Sequence, residues 1–120
     1  MSISFIVKSL IGVGGNLIDG NLFVNPLADT IIVDTNGLQL GYYYFGFVVT
    51  SSVACIIDIE HRDESNSQNK HRIRIRMNAG TEYPIFWNPI QILNNERIRL
   101  KLIGGITGEI QGSIFYIKVH

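Results

Sequence analysis

The sequence predicts an all-β protein, and three observations lead to this fold class. The 120 residues include twenty isoleucines but only three alanines, and valine and aromatic residues are frequent. No long stretch repeats its apolar residues with the 3.6-residue period of a helix. Runs rich in Gly, Asn, Asp and Ser separate the apolar segments at regular spacing, which is typical of strands joined by turns.

Predicted strands follow one another along the chain with no helix between them. They cover residues 3–7, 21–24, 29–35, 40–50, 53–62, 71–77, 83–87, 96–103 and 108–119. Glycine-containing connections are predicted at 12–16 and 79–82. Segment 63–69 has no apolar residue and is predicted to be the solvated tip of a hairpin. Pro84 indicates the start of a strand or the edge of a sheet.

This pattern predicts an antiparallel β-sandwich or a barrel of about eight to nine strands. Eight strands in two sheets make a jelly roll, which is the architecture we expect. An immunoglobulin-like sandwich is the main alternative. However, Cys55 is the only cysteine, so the disulfide of antibody domains is missing, and Trp87 is not placed as that fold requires. The apolar neighbours of Cys55 predict a buried thiol.

The length predicts a single domain. Residues 1–28 are interpreted as an N-terminal arm with short strands, which is either part of the fold or an attachment segment, and residues 29–120 as the jelly-roll sandwich. Lys8, Ser9 and several glycines interrupt the apolar start of the chain, so neither a secretory signal nor a membrane span is predicted. We therefore expect synthesis and folding in a cytoplasm and no membrane partner.

The charges are balanced overall but unevenly distributed. The formal net charge is zero, which argues against a nucleic-acid partner. Residues 1–60 contain one base and five acids, a net charge of −4, whereas residues 61–120 contain nine bases and five acids, a net charge of +4. This division predicts either a basic patch or two complementary segments that meet in the fold.

Alternation along three strands indicates a charged outer sheet. The jelly-roll order places strand 53–62 between strands 96–103 and 71–77, with strand 29–35 beyond 96–103. If paired residue numbers in the hairpin sum to 134, Asp58 lies opposite Arg76 and Glu60 opposite Arg74. Exposed pairs of this kind contribute roughly 0.2–1 kcal/mol each and would mainly set register and solubility. The predicted ion-pair residues are Asp58, Glu60, Arg74, Arg76, Arg97 and Arg99.

Strands 40–50 and 108–119 are apolar on both faces, although a two-layer sandwich buries only one face of each strand. The same topology makes them neighbours, so their second faces would form one apolar surface with tyrosine hydroxyls at its margin. We expect this surface to be the interface of a homotrimer, as in tumour-necrosis-factor-like jelly rolls. Alternatively, the first residues of the chain, 1–25, cover part of it. The predicted interface residues are Tyr42, Tyr44, Val48, Ile110, Ile114 and Tyr116.

No catalytic, metal or cofactor site is predicted. His61 and His71 flank the 63–69 loop, near Asp63 and Glu64, but two solvated histidines explain this better than a metal site. Segment 12–16 is too short for a dinucleotide fingerprint and has no βαβ context. Tyr83 and Trp87 could stack on a sugar and form a candidate ligand loop, although packing at a sheet edge is the preferred interpretation.

The second half of the chain carries a family resemblance. It contains CIIDIEHRDESNSQNKHRIRIRM followed by AGTEYPIFWNPIQILNNERIRLKLIGGITGEIQGSIFYIKV. This order of acidic strand, polar tip, basic strand, Gly-Thr turn, proline-containing strand, second basic strand and glycine-broken last strand resembles small jelly-roll proteins on tailed-bacteriophage capsids. These are called decoration, cement or head-fibre proteins. The resemblance covers about residues 38–119, and nothing in residues 1–28 contributes to it.

The resemblance implies a non-enzymatic, trimeric virion protein. Such a protein would be made in the host cytoplasm, bind the major capsid protein where capsomers meet, and stabilise the shell on the capsid surface. A carbohydrate- or receptor-binding module of a fibre or tail tip is the alternative function. An enzyme on a β-sandwich and a nucleic-acid binder that uses the arginine stripes are further hypotheses that the sequence does not favour.

Overall fold

The computed structural model describes residues 15–120, apart from the side chain of Trp87. The predicted strand over residues 3–7 lies outside this range. Within it, no helix is long and apolar enough to span a membrane. The strands are β1 (Asn16–Asp19), β2 (Phe23–Val24), β3 (Ile31–Asp34), β4 (Gly41–Ser51), β5 (Cys55–Arg62), β6 (Asn69–Met77), β7 (Gly80–Glu82), β8 (Ile85–Ile92), β9 (Arg97–Leu102) and β10 (Glu109–Lys118).

The strands form two antiparallel sheets that pack face to face as a jelly-roll β-sandwich. In the six-stranded sheet β10 pairs with β1, β2 and β4, and β4 also pairs with β7 and β8. In the four-stranded sheet the order is β3-β9-β5-β6. The predicted fold class is confirmed, and the order of the four-stranded sheet is the predicted one.

The short strands differ most from the sequence prediction. Residues 16–19 form β1 on the edge of β10, and residues 80–82 form β7 on β4, where a turn was predicted. Neither segment has a run of alternating apolar residues long enough to be recognised as a strand. β8 begins directly after Pro84, as expected, but continues to Ile92 rather than ending at Trp87.

The core lies between the sheets and consists of alternate residues from both. Phe45 and Phe47 of β4 stack with ring centroids 6.4 Å apart, and Leu100 of β9 is completely buried. Burying one such side chain contributes about 1.5–3 kcal/mol. Cys55 is a buried free thiol, as predicted, and burial raises its pKa.

One close approach fixes the packing on the outer face of the six-stranded sheet. Phe115 of β10 lies opposite Gly46 of β4. Its ring is completely buried, and a Cβ atom at residue 46 would lie 2.2 Å from Phe115 Cε2. Only glycine leaves room for the ring at this position.

Gly46→Ala is therefore expected to lower the free energy of unfolding by about 1–3 kcal/mol, the usual effect of overpacking. Urea denaturation measures this value. In the double variant Gly46→Ala/Phe115→Leu, the smaller side chain makes room for the methyl group. The loss should therefore be smaller than the sum of the two single losses, whereas simple additivity would contradict the packing described here.

Candidate functional site

The pairing of β5 with β6 differs by two residues from the predicted register. Asp58 lies opposite Arg74 and Glu60 opposite Arg72, so paired numbers sum to 132 rather than 134. The predicted pairs of Asp58 with Arg76 and Glu60 with Arg74 are therefore wrong. A shift of two residues keeps every side chain on its predicted face, which is why alternation alone could not detect it.

Both carboxylates of β5 are buried rather than exposed. Asp58 is 1% exposed and Glu60 is not exposed at all. Arg74 donates from Nε to Asp58 Oδ1 at 2.8 Å and from Nη2 to Oδ2 at 3.0 Å. Arg72 is a weaker second partner, with Nη1 3.8 Å from Asp58 Oδ2. Arg72 and Arg74 of the edge strand β6 thus cover the Asp58 carboxylate of β5.

Glu60 is shared by two cations of β9. Arg99 donates from Nε to Oε1 at 2.6 Å, and Lys101 Nζ lies 3.3 Å from Oε2. Asn69 donates to the same oxygen at 2.8 Å. Burial opposes ionisation of Glu60, but the hydrogen bonds from Asn69 and Arg99 and the charge of Arg99 outweigh it and hold the pKa below its usual value. Glu60 is therefore a buried anion.

The outer face of this sheet keeps an excess of positive charge. By register, it carries seven cationic side chains and three carboxylates, an excess of four. Arg97 pairs with Asp34 at 3.2 Å. Arg76 is exposed and makes no ion pair with any residue of the described part of the chain. The cations are Arg62, Arg72, Arg74, Arg76, Arg97, Arg99 and Lys101, and the carboxylates are Asp34, Asp58 and Glu60.

A second buried charge lies at one end of the core and was missed by the sequence analysis. Glu96 is 3% exposed and accepts hydrogen bonds from His61 Nε2 (2.9 Å), Lys70 Nζ (2.5 Å) and the Leu93 amide (2.8 Å). Burial opposes its ionisation, but these bonds keep the pKa of Glu96 below its usual value. Glu96 lies in the same alternating series as the core residues Ile98, Leu100 and Leu102. An acidic residue in a series that faces the core is the sequence signal that could have predicted a buried carboxylate here.

His61 is held neutral beside Glu96. It is 5% exposed, and burial, together with the charges of Lys70 and His71, lowers its pKa although the neighbouring Glu96 carboxylate opposes this. Nε2 therefore donates to Glu96, and Nδ1 is buried without a partner among residues 15–120. The ring centroids of His61 and His71 are 5.5 Å apart. Within the described range, no group of three or more His, Cys, Asp and Glu side chains could hold a metal ion.

An apolar cleft opens between the sheets beside β6. Its volume is about 410 Å³. The inward-facing residues of β6 become more exposed along the strand, from 4% at Met77 to half-buried at Ile75 and 46% at Ile73. The sandwich is therefore closed at the Met77 end and open at the His71 end. The lining residues are Ile59, His61, His71, Arg72, Ile73, Phe86, Ile90 and Ile98.

The six residues of the predicted interface do not share one face. Ile114 lies opposite Phe47 and Tyr116 opposite Phe45, and both Phe residues belong to the core. Ile110 and Ile114 are completely buried and Tyr116 packs against the core. Their assignment to the interface is wrong, because β10 is apolar on both faces and its alternation does not show which face is inside.

The other three residues lie on the outer face of the six-stranded sheet. Tyr42 is 40% exposed, whereas Tyr44 and Val48 are half-buried. By register, Ile117 of β10 lies opposite Tyr44, and Leu17 of β1, which is 42% exposed, lies opposite Phe115. Of residues 1–25, the alternative cover for this face, β1 and β2 instead extend the sheet along the edge of β10, and residues 1–14 lie outside the described part of the chain. Phe115 lies on the same side but is already completely buried. We call Tyr42, Tyr44, Val48, Ile117 and Leu17 the outer apolar face.

The predicted ligand loop lies at the junction of β7 and β8. Tyr83 is 47% exposed in this connection, and Trp87 is part of β8. Tyr83 therefore presents an aromatic side chain to solvent. None of its atoms contributes to the hydrogen bonds of Glu96 or to the lining of the cleft.

Replacing Arg99 should reveal the burial of Glu60. Arg99→Met leaves Glu60 in the interior with one cation fewer, and breaking a buried pair in this way lowers the free energy of unfolding by roughly 3–5 kcal/mol. Arg76→Met, the matched change at an exposed arginine of the same sheet face, should alter it by less than about 0.5 kcal/mol. Chemical denaturation compares the two, and equal losses would contradict the burial of Glu60.

Stability should fall in two steps on acidification. The folded-state pKa of His61 is lowered, so the unfolded chain takes up a proton first and stability declines below the ordinary histidine value of 6.5. Glu60 and Glu96 also have lowered pKa values, so their contribution is present above 4.5 and is lost as the pH falls below it. Denaturation at several pH values measures both steps. His61→Gln should remove the first step and His71→Gln should leave it. A first step that survives in His61→Gln would refute this assignment.

The fold resembles those of several solved β-sandwich domains. The globular domain of zebrafish complement 1qA protein aligns with a TM-score of 0.57 and 8% identity, over 88% of this chain and 96% of its own. TmCBM61 in complex with β-1,4-galactotriose gives 0.52 and 11%, over 88% and 89%. The CBM22-1–GH10 modules of Clostridium thermocellum xylanase 10B, complexed with xylohexaose, give 0.51 and 12%, over 89% and 25%.

No family model matches the sequence, and no curated protein matches it. Identities this low show a shared fold and nothing more. The chain therefore has a jelly-roll-like β-sandwich fold.

Proposed function

We propose that the protein is a non-enzymatic structural protein of a virion, which assembles as a homotrimer and binds the capsid surface. The observation that carries this proposal is the outer apolar face. In a two-sheet sandwich, the face of a sheet that points away from the core normally carries polar side chains. Here Tyr42, Tyr44, Val48, Ile117 and Leu17 occupy it.

Self-association would bury this face. Apolar area removed from water contributes roughly 25 cal/mol per Å², so a patch that spans three strands can supply much of the energy of an interface. Tyrosines suit such a surface because each has a large apolar ring and a hydroxyl that stays at the wet margin. The other sheet is strongly charged on its outer face and is poorly suited to the same role.

Attachment to a capsid then follows from geometry. A trimer presents three copies of every other surface, so three weak contacts with neighbouring capsid subunits combine with high effective concentration. Such bridging would stabilise the shell without any catalytic group. The order of elements over residues 38–119, which resembles that of phage decoration proteins, supports this function.

Carbohydrate binding is the second candidate, and the exposure of Tyr83 favours it. An aromatic ring that is 47% exposed in a loop between strands can stack on the apolar face of a sugar. Two of the solved structures with which this fold aligns, TmCBM61 and the CBM22-1–GH10 modules of xylanase 10B, are complexes with oligosaccharides. That likeness concerns the fold alone. The carbohydrate-binding hypothesis therefore rests on the exposed ring of Tyr83.

The oligomeric state tests the proposal directly. Light scattering coupled to gel filtration should give about three times the chain mass of 13.5 kDa. Val48→Glu and Tyr44→Glu place a charge in the buried interface and should yield monomers. The matched control is Leu27→Glu, at a 79% exposed apolar residue between β2 and β3, which should stay trimeric. A monomeric wild-type protein would overturn the proposed assembly.

Capsid binding separates the two candidates. The wild-type protein should co-sediment with capsids of the virus that encodes it, and the monomeric variants should bind far more weakly because they lose the gain from three contacts. Absence of capsid binding, together with a glycan-array signal that Tyr83→Ala abolishes, would instead establish the carbohydrate-binding function.

A further inference from the structure

We infer that the free edge of β6 and the apolar cleft beside it form a binding site for an extended polypeptide segment in which apolar and acidic residues alternate. The segment adds to the four-stranded sheet as a fifth strand. This inference goes beyond the proposed virion function and does not depend on it, because it rests on β6 and β8 and not on the outer apolar face.

The first observation is the edge itself. β6 is the last strand of the sheet, and within the described range only β5 pairs with it. It is nine residues long, from Asn69 to Met77. One side of such a strand presents backbone N–H and C=O groups that can pair with another chain, which is the basis of recognition by strand addition.

The second observation is the cleft along that edge. Ile73 is 46% exposed although it has the parity of the core residues of its strand, and Phe86 and Ile90 of β8 form the opposite wall. Buried Ile59 and Ile98 form the floor. A volume of about 410 Å³ lies within the range of ligand pockets. A strand added to β6 would place every second side chain in this cleft, and those side chains must be apolar.

The third observation is the charge on the other face of β6. The side chains of Arg72 and Arg74 are 52% and 39% exposed, and Arg76 has no ion-pair partner in the described part of the chain. Together with Arg62 of β5 and the three cations of β9, they outnumber the carboxylates of this face by four. Residues directly opposite on neighbouring strands interact, and opposite charges attract there. The outward side chains of the added strand are therefore acidic.

A second copy of this chain does not fit the same edge through its own β6. Pairing β6 with β6 would bring two arginine rows together, and like charges opposite each other are destabilising. The arginines thus act against self-pairing, which is a common protection of edge strands, and at the same time select an acidic partner.

Peptide binding to the full-length protein tests this inference. A nine-residue peptide that alternates valine and glutamate, capped at both ends and carrying a fluorophore, should bind saturably in an anisotropy titration, and added salt should weaken binding. Replacing each glutamate with lysine, or reordering the same residues without alternation, should weaken binding by roughly tenfold or more. Equal binding of the lysine peptide, or no saturable binding, would overturn the inference.

N-methylation of the peptide backbone tests strand addition itself. In an extended peptide, alternate N–H groups point to opposite sides, so only one set faces β6. Methylating one set should abolish binding and methylating the other should leave it nearly unchanged. If the two methylated peptides bind equally well, the peptide does not add as a strand.

Protein variants locate the site. Ile73→Thr removes an apolar contact at an exposed β-branched residue, and Arg76→Glu reverses a charge without an internal partner. Each should weaken peptide binding by roughly tenfold. The control Val24→Thr, at a 62% exposed residue of β2 on the opposite edge of the molecule, should not change it. Equal effects of Ile73→Thr and Val24→Thr would place the peptide elsewhere. Because Ile73→Thr and Arg76→Glu leave the outer apolar face unchanged, peptide binding and trimer formation can fail independently.

Discussion

The four-stranded sheet depends on the burial of two carboxylates on β5. Asp58 and Glu60 are almost inaccessible to water, and an unpaired buried carboxylate is destabilising by several kcal/mol. β5 can therefore lie only between two strands that supply cations, which here are β6 with Arg74 and β9 with Arg99 and Lys101. The division of charge between the two halves of the chain follows from this requirement, because the acidic strand precedes both basic strands in the sequence.

The sequence was sufficient to predict the order of these strands but not their register. Arg72, Arg74 and Arg76 are equivalent as cations, so a hairpin shifted by two residues satisfies the same charge pattern. The turn decides between the registers. Asp63 accepts hydrogen bonds from Ser67 and donates its amide to Gln68, and Arg62 donates to Asn66. These bonds place Asn69 opposite Arg62 with a local irregularity, a geometry that a polar seven-residue tip does not reveal from composition.

The six-stranded sheet shows the limit of alternation more clearly. On β10 both faces are apolar, so hydrophobic pattern cannot assign Ile114 to the core or Phe115 to the outside. The positions of two glycines show which face of β10 is inside. Gly46 accommodates the ring of Phe115 on the outer face, whereas a Cβ at Gly112 would lie 2.9 Å from Ile32 in the core. Which glycine lies under which side chain depends on the register between β4 and β10, so only the folded structure shows it.

The two edges of the sandwich differ in how closely the sheets pack, and the more open edge also carries the unpaired positive charge. On one side β3 packs against β1 and β10, whereas on the other the cleft separates β6 from β8. Each buried carboxylate of β5 contacts two cationic side chains, Asp58 those of Arg72 and Arg74 and Glu60 those of Arg99 and Lys101. The cations of this face therefore outnumber the carboxylates, and part of the excess positive charge lies at the open edge beside β6. The row of arginines on β6, Arg72, Arg74 and Arg76, therefore contributes both to folding and to the proposed recognition. Arg74 stabilises the fold through its hydrogen bonds to Asp58. Arg76, two residues further along β6, makes no ion pair within the described part of the chain. A substitution at Arg76 can therefore change recognition without changing folding.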